Sequence, residues 1–301
     1  MLQKFNPKNA NIVIHVGGKL LPRSEAKVSV FDSSVQGGDA VWEGLRVYKG
    51  GVFCLSRHLD RLEASAHALA FAHIPTKEEV KKAIFETLHA NGMTDETHIR
   101  LTLTRGEKVT SAMDPRVNTG SSCLIVLAEW KPLVYDNATG IRVITSSQRR
   151  NNPQFLDSKI HHNNLLNNIL AKIQANVAGV DAALMLDHNG FVAELNDINL
   201  FMVKDGSVYT PFADACLHGI TRGLVIEICE ELNIPVSERN LSLTEFYNAD
   251  EVFGCGTMGE LTPIVEMDGR KIINRSGKKI ALKIHEHFQT LIPTYSERII
   301  I

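Results

Sequence analysis

The chain has 301 residues, of which 44% are hydrophobic and 22% charged, a composition that excludes a disordered or fibrous protein. At about 150 residues per domain, this length predicts two domains or one large domain. The net charge is -2, and neither sign clusters along the chain. We therefore expect neither a nucleic-acid partner nor an anionic membrane partner.

The cysteines and the N-terminal segment indicate the cellular compartment of the protein. Five scattered cysteines form no C-x-x-C pair, which is typical of reduced, buried thiols. The first residues lack the apolar core of a signal peptide, and no apolar run approaches the ~20 residues of a membrane helix. We therefore expect a cytoplasmic protein. His161-His162 and His285-Glu-His287 lack metal-ligand spacing, so no metal site is expected.

The first third of the chain combines strand and helix patterns. Asn11–Val16 alternates and ends at two glycines, and Leu45–Leu55 reads as a hairpin that turns at Lys49-Gly-Gly51. Amphipathic spacing predicts helices over Ser56–Phe71 and Glu78–Asn91. His98–Thr104 alternates as a strand whose residues 99, 101 and 103 face the core, and residues 123–128 form a buried strand.

A polar stretch at residues 129–140, broken by proline and glycine, is the candidate linker. After it, Ile141–Ile144 reads as a strand. Asn163 or Asn164 is expected to cap a helix with Leu166, Ile169, Leu170 and Ile173 on one face. Two hairpins and a further helix from Gly219 follow. The interleaved order predicts an α+β fold with antiparallel or mixed sheets: a small N-terminal α/β domain over 1–128, an interdomain loop over 129–140, and a large C-terminal domain over 141–301.

One glycine motif resembles a dinucleotide fingerprint. Gly254-Cys-Gly-Thr-Met-Gly259 matches G-x-G-x-x-G after an apparent strand. Such a fingerprint must open a helix, whereas here Pro263 and a strand follow. We therefore reject a Rossmann dehydrogenase and keep the possibility that the turn lines a ligand, since successive backbone N–H groups can bind an anion.

Several residues of the second half could form one site. Lys159 is a candidate imine-forming amine, Glu194 a candidate carboxylate partner, and Gly219–Arg222 and Gly256-Thr257 candidate anion cradles. A lysine, a carboxylate and phosphate cradles are what a pyridoxal phosphate enzyme needs. Composition and spacing alone do not assemble this set, because a single lysine is more readily a surface charge and a single Gly-Thr turn is more readily only a turn.

Eight segments in order give the chain a resemblance to the class IV aminotransferases, the fold-type IV pyridoxal phosphate enzymes, over almost its whole length. They are Val41-Trp-Glu-Gly-Leu-Arg46, His58-Leu-Asp-Arg-Leu62, Lys159 with Asn163, Leu186–Glu194, Asn199-Leu-Phe201, Leu217-His-Gly-Ile-Thr-Arg222, Ala249–Phe253, and Gly256-Thr257 through Pro263. This family includes branched-chain and D-amino acid aminotransferases and aminodeoxychorismate lyases.

The resemblance implies a two-domain α+β fold, a cofactor, pyridoxal 5'-phosphate, between the domains, and a homodimer. Lys159 matches the Schiff-base lysine, which is also the catalytic acid and base. The implied cofactor contacts are Arg61, Glu194, Leu217, Ile220, Thr221, Gly256 and Thr257. The implied substrate contacts are Trp42, Arg100 and Met258. The implied reaction is ping-pong transamination between an amino acid, branched-chain or aliphatic, and 2-oxoglutarate.

Three departures leave the substrate open. Gly37, His98 and Asn164 stand where branched-chain enzymes carry tyrosines, which changes the width or polarity of the pocket. Thr104-Arg-Gly106 is similar to the D-amino acid enzymes. A D-amino acid aminotransferase and a pyridoxal phosphate lyase therefore remain alternatives.

Overall fold

The computed structural model describes residues 4–300. Its strands, in chain order, are β1 (Val13–Val16), β2 (Lys19–Pro22), β3 (Ala40–Tyr48), β4 (Gly51–Phe53), β5 (Thr97–Thr104), β6 (Cys123–Trp130), β7 (Ile141–Thr145), β8 (Ala182–Leu186), β9 (Val192–Leu195), β10 (Asn199–Lys204), β11 (Ser207–Thr210), β12 (Val236–Glu238), β13 (Glu251–Gly256), β14 (Glu260–Met267), β15 (Arg270–Lys271) and β16 (Ser296–Arg298).

The helices are α1 (Ser33–Gly37), α2 (Leu55–Ala68), α3 (Lys77–Asn91), α4 (Leu166–Val177), α5 (Ile220–Glu231), α6 (Leu243–Tyr247) and α7 (Ile280–Tyr295). Helices and sheets of both pairing types confirm the α+β prediction. No helix within residues 4–300 has the length and apolarity to span a lipid bilayer.

The described chain forms two compact units. The N-terminal unit contains residues 4–132, 160–164 and 292–300, and the C-terminal unit contains residues 133–159 and 165–291. The domain prediction placed 160–164 and 292–300 in the C-terminal domain. Val41 forms a β-bridge with His162, and β16 pairs with β4, so backbone hydrogen bonds attach these segments to the N-terminal unit instead.

The N-terminal unit is built on one antiparallel sheet with the strand order β16-β4-β3-β5-β6-β1-β2. The predicted hairpin turns at Lys49 and Gly50, both at positive φ, as a tight two-residue turn requires. A reciprocal capping box of Thr76 and Glu79 starts α3, which ends at Gly92 with φ +64. Ile99, Leu101 and Leu103 are fully buried in the core, as their alternation predicts.

The C-terminal unit has a mixed sheet with the order β12-β11-β10-β13-β14-β7-β8-β9, to which β15 adds at β14. The two predicted hairpins are present as β8–β9 and β10–β11. Residues 254–259 end β13 and turn directly into antiparallel β14. No helix opens there, which confirms the rejection of a dinucleotide fingerprint.

Helix α4 differs from its prediction in two respects. It begins at Leu166 after Leu165, and no side chain caps it, so the expected caps Asn163 and Asn164 are wrong. Asn163 instead donates its backbone N–H to the carbonyl of Ala40 at 2.8 Å. The apolar face of α4 is exposed to solvent, while the small residues Ala171 and Ala175 are buried.

Candidate active site

The first cluster of candidate residues surrounds Glu194, on β9 of the C-terminal unit. The side chain of Glu194 is buried, and its Oε1 accepts a hydrogen bond from Arg150 Nε at 2.5 Å. Asn199 Nδ2 donates to its Oε2 at 3.1 Å. Burial raises the pKa of Glu194, and the nearby Arg150 offsets this rise only in part. The carboxylate is thus held in place but would gain from a further cationic donor.

Asn199 connects this carboxylate to the loop before α5. Its Nδ2 also donates to the carbonyl of Leu217 at 3.1 Å. A Cβ on Gly219 would lie 2.0 Å from Asn199 Oδ1, so any other residue here would displace the Asn199 amide. Gly219 precedes the first turn of α5, which no side chain caps, and Thr221 in that turn is buried. Uncapped N–H groups of Ile220 and Thr221 at the start of a twelve-residue helix suit an anion.

The hairpin of β13 and β14 brings the second predicted cradle to the same place. Asn199 pairs with Cys255 across the β10–β13 ladder, which sets Gly256 and Thr257 immediately beyond it. A Cβ on Gly256 would meet Ile198 Cγ2 at 2.7 Å, so the backbone approaches closely. Met258 lies in the turn, where its carbonyl accepts from Val134 N at 3.0 Å.

Lys159 lies near this group in the C-terminal unit. Its Nζ is 3.2 Å from Asp157 Oδ1 and 3.5 Å from the carbonyl of Asp214. Burial raises the pKa of the Cys216 thiol, and the charge of Glu194 raises it further, while nearby cations that include Lys159 lower it. Asp214 lies three residues before Leu217, so the contact with its carbonyl sets the lysine amine beside the loop that leads to α5. The lysine side chain is 38% exposed, which leaves its amine accessible.

The second cluster lies in the N-terminal unit, around Glu43 of β3. Its fully buried carboxylate is 2.8 and 2.7 Å from Arg61 Nε and Nη2, 2.7 Å from His58 Nδ1 and 3.1 Å from His161 Nδ1. Burial by itself would raise the pKa of Glu43, but Arg61 and His161 hold it well below its usual range. Sequence reasoning missed this cluster, although a signal existed. Residue 43 falls on the same face of the alternating strand as apolar Val41, Leu45 and Val47.

Arg61 is therefore already engaged within its unit. Two of its guanidinium nitrogens contact Glu43, so a phosphate would share this arginine with a buried carboxylate. The phosphate-binding role of Arg61 stays a prediction. Arg150, which holds Glu194, was not singled out from the sequence, since its segment shows only a polar run with no motif.

Trp42 and Arg100 are brought together in the N-terminal unit. The Arg100 guanidinium lies 3.4 Å from the centroid of the Trp42 ring, and its Nη2 donates to Asn163 Oδ1 at 3.0 Å. Trp42 is fixed in turn by a bond from Nε1 to the carbonyl of His162 at 3.1 Å and by ring contact with His161. Burial lowers the pKa of Arg100 to about 10, so this arginine remains cationic near neutrality.

The positions that replace family tyrosines differ in their surroundings. Burial, together with the nearby Lys131, Arg100 and Arg46, lowers the pKa of His98 to about 3, so this imidazole is neutral at pH 7. Gly37 ends α1, and a Cβ there would find open space. The backbone of Asn164 packs beside Gly38. At two of the positions where branched-chain enzymes carry a tyrosine, this chain therefore has a neutral imidazole, His98, and an open space, at Gly37.

Arg105, the arginine of the D-amino acid alternative, forms hydrogen bonds within the N-terminal unit. Its Nε and Nη2 bind Asp39 at 2.6 and 3.1 Å, and its Nη2 and Nη1 donate to the carbonyls of Leu69 and Ala70 at 2.7 and 3.1 Å. Its guanidinium also stacks on Phe71. This arrangement ties the end of β5 to the end of α2 and commits most donors of the guanidinium.

Residues 40–267 match the family model for amino-transferase class IV. The chain is 57% identical to branched-chain-amino-acid aminotransferase-like protein 2 of Arabidopsis thaliana over 97% of its own length. It spans about half the length of that relative, 53%. It is 42% identical to a putative branched-chain-amino-acid aminotransferase of Methanocaldococcus jannaschii, with 92% of this chain and 96% of that protein covered.

A solved structure has the same fold. It is the branched-chain aminotransferase of the thermophilic archaeon Thermoproteus uzoniensis with norvaline, with a TM-score of 0.88 and 31% identity. The match covers 96% of this chain and 100% of that one. Both the family model and these relatives extend across the clusters of Glu43 and Glu194. The chain therefore belongs to the class IV aminotransferases.

Proposed function

We propose that the chain transfers an amino group between a branched-chain or other aliphatic L-amino acid and 2-oxoglutarate, with pyridoxal 5'-phosphate as cofactor. The observation that carries this proposal is the setting of Glu194, a buried carboxylate whose pKa is raised by burial despite its bond to Arg150. A protonated pyridine nitrogen is the kind of cationic donor that would stabilise it. The names of the relatives support the substrate class.

The donor set of the C-terminal unit fits the cofactor. The uncapped start of α5 and the close-packed glycine at 256 offer backbone N–H groups and the Thr221 and Thr257 hydroxyls to a phosphate. Arg61 would add the positive charge. Bound pyridoxal phosphate supplies an aldehyde that takes up the amino group and a ring that accepts electrons as the substrate loses its α-proton.

The roles of the protein groups follow from their chemistry. Lys159 would anchor the aldehyde through its amine and, once displaced by the substrate amine, carry the proton to and from the α-carbon. Glu194 would keep a proton on the ring nitrogen. Trp42, Arg100 and Met258 would contact the substrate, with Arg100 gripping a carboxylate. The homodimer and the cytoplasmic location expected from the sequence belong to the proposal and stay predictions.

The test has two parts. After borohydride reduction of the loaded protein, peptide mapping should find the cofactor on Lys159, and Lys159→Ala should abolish both attachment and transamination. Lys271→Ala, on exposed β15, is the matched control and should behave as wild type. Attachment to another lysine would contradict the site.

The second part identifies the substrate. A panel of L-branched-chain, L-glutamate, D-alanine and D-glutamate donors is assayed with 2-oxoglutarate or pyruvate as acceptor. Turnover of L-branched-chain donors with 2-oxoglutarate supports the proposal. Turnover of D-amino acids alone would favour the D-amino acid aminotransferase, and release of pyruvate from aminodeoxychorismate without an amino acceptor would favour the lyase.

A further inference from the structure

Glu260, at the start of β14, has a backbone conformation that glutamate disfavours. It pairs with Gly256 across the β13–β14 hairpin, and its φ is +52. A positive φ is uncommon outside glycine because the Cβ atom then crowds a backbone carbonyl oxygen. Such positions persist only where the surrounding structure holds them, and they are concentrated in active sites and ligand clamps. The residues between Gly256 and Glu260 include Thr257 and Met258, two candidate ligand contacts.

The side chain of Glu260 is held by helix α7. It is buried, and its Oε2 accepts a hydrogen bond from Gln289 Nε2 at 2.6 Å. His285 Nε2 lies 3.2 Å from the same oxygen. Residues 285 and 289 are four positions apart on α7, so both face the carboxylate from one side of the helix. Because hydrogen bonds to a carboxylate are stronger than those to a neutral acceptor, this contact ties α7 to the start of β14.

The backbone of the same turn is held by the segment before β7. Val134 N donates to the carbonyl of Met258 at 3.0 Å, and Asn137 Nδ2 donates to that of Gly259 at 2.9 Å. These bonds fix two successive peptide groups, and the Glu260 carboxylate fixes the residue that follows them. The turn is therefore held by two elements that are distant from each other in sequence.

Stability alone does not account for a glutamate at position 260. Glycine would adopt the same positive φ at no steric cost, and a buried carboxylate carries a desolvation cost of its own. Both costs fall on the residue that ends a turn with two candidate ligand contacts. This combination is expected where a side chain must hold a functional loop in one geometry.

We propose that Glu260 is a positioning residue for the Gly256–Glu260 turn. Through its contact with α7 it fixes the backbone, so that Gly256-Thr257 is set for the cofactor phosphate and Met258 for the substrate. The inference rests on the proposed function, which assigns those contacts, and it adds a residue that acts on them only through the backbone. It follows that Gln289, at an exposed position of α7, contributes to cofactor affinity.

The first test measures the dissociation constant of pyridoxal phosphate, by equilibrium dialysis of the loaded full-length protein, and KM for a branched-chain donor. Gln289→Ala should raise both constants about 3-fold and Glu260→Ala about 10-fold, while saturated kcat falls less, since a hydrogen bond outside the reacting groups is lost. Thr290→Ala, also exposed on α7, is the matched control and should keep wild-type values. Because Gln289 is exposed, its variant tests the contact even if Glu260→Ala does not fold.

A second variant, Glu260→Gly, separates positioning from stability. Glycine adopts the left-handed φ freely, so Glu260→Gly should unfold at a higher urea concentration than Glu260→Ala. It lacks the carboxylate, so both constants should rise at least as much as in Glu260→Ala. A purely structural role predicts the reverse, because affinity would then recover together with stability.

Two results would overturn the role of Glu260. One is a folded Gln289→Ala protein with wild-type values of both constants, and the other is recovery of both constants in Glu260→Gly. A wild type that holds pyridoxal phosphate on Lys159 but does not transaminate would contradict the proposed function instead. The dissociation constants of the variants would then still decide whether Glu260 positions the turn.

Discussion

Two buried glutamates, one in each unit, carry opposite pKa shifts. Glu43 contacts Arg61 through two nitrogens and two histidines through one each, and its pKa lies well below the usual range. Glu194 receives one arginine bond and one amide bond from side chains, and burial raises its pKa. Both side chains are buried. The difference lies in how many side-chain nitrogens reach each carboxylate: four contact Glu43, two of them from one arginine, and two contact Glu194.

A carboxylate has about four acceptor sites, and a buried one is stabilised as an anion by the hydrogen-bond donors and cations that fill them. The donors around Glu43 more than offset the free-energy cost of burying its charge, so the ionised carboxylate stabilises the fold. The donors around Glu194 offset only part of that cost, so a cationic ligand would stabilise this carboxylate further. We therefore propose a structural role for Glu43 and a ligand-binding role for Glu194, and variants can separate the two.

Glu43→Gln should have the largest effect on stability. It removes the charge that pairs with Arg61 and that accepts hydrogen bonds from two buried histidines, and breaking a buried ion pair from one side costs about 3–5 kcal/mol. Urea unfolding measures this loss. Glu63→Gln, on the exposed side of α2 beside Lys77, is the control and should lower the unfolding free energy by less than about 1 kcal/mol. Equal losses in the two variants would show that the Glu43 cluster contributes no more than a surface pair.

Glu194→Gln should act on turnover. A neutral amide cannot hold a proton on a ring nitrogen, so we expect kcat to fall about 100-fold, roughly 2.7 kcal/mol, with cofactor still bound. Single-turnover absorbance with a branched-chain donor measures the step. Glu230→Gln, exposed on α5, is the control and should keep wild-type kcat. Undiminished kcat in the folded, loaded Glu194→Gln protein would remove the ligand-binding role.

Acid should weaken the Glu43 cluster through His161. Burial lowers the pKa of His161 to about 4, below the ordinary 6.5, despite the opposing attraction of Glu43. The unfolded chain therefore binds more protons in this window, and stability falls as pH drops from 6.5 toward 4. Between pH 7 and pH 5 the loss from this one group is about 2 kcal/mol.

The pH dependence of urea unfolding tests this through a neutral variant. His161→Gln cannot take up a proton, so its stability should fall less on acidification than that of the wild type. Exposed His73→Gln should keep the wild-type slope. Identical slopes in the wild type and His161→Gln would mean that the imidazole is not held neutral in the folded protein.

Arg100→Ala should have the smallest and most selective effect. Because 2-oxoglutarate and glutamate carry a second carboxylate, their half-reaction should lose about 10-fold more in kcat/KM than the leucine half-reaction. Arg116→Ala, at an exposed arginine of the same unit, is the control and should leave both half-reactions unchanged. Equal loss in both halves would assign Arg100 to the shared α-carboxylate or to the fold around Trp42.

Local patterns in the sequence were sufficient for most of the secondary structure. The alternation of His98–Thr104, the glycine turns of the hairpins and the amphipathic spacing of α2 and α3 each depend on neighbours a few residues apart, and all three are observed. The ordered motifs were likewise sufficient for the family. They could not assign substrate roles, because Arg61, Arg100 and Arg105 look alike in a sequence and differ only in their partners.

Tertiary structure alone decided which side of α4 contacts water and which charged groups contact the two buried glutamates. The spacing of Leu166, Ile169, Leu170 and Ile173 determined an amphipathic helix. Periodicity shows that these residues share one face, but it does not show whether that face contacts the core or the solvent. The direction depends on the amides that anchor the other side to Ser146, Arg149 and Asn196, residues that are distant in sequence. In the same way, Glu43 meets His161 across 118 positions, and only chain folding brings such partners within hydrogen-bond distance.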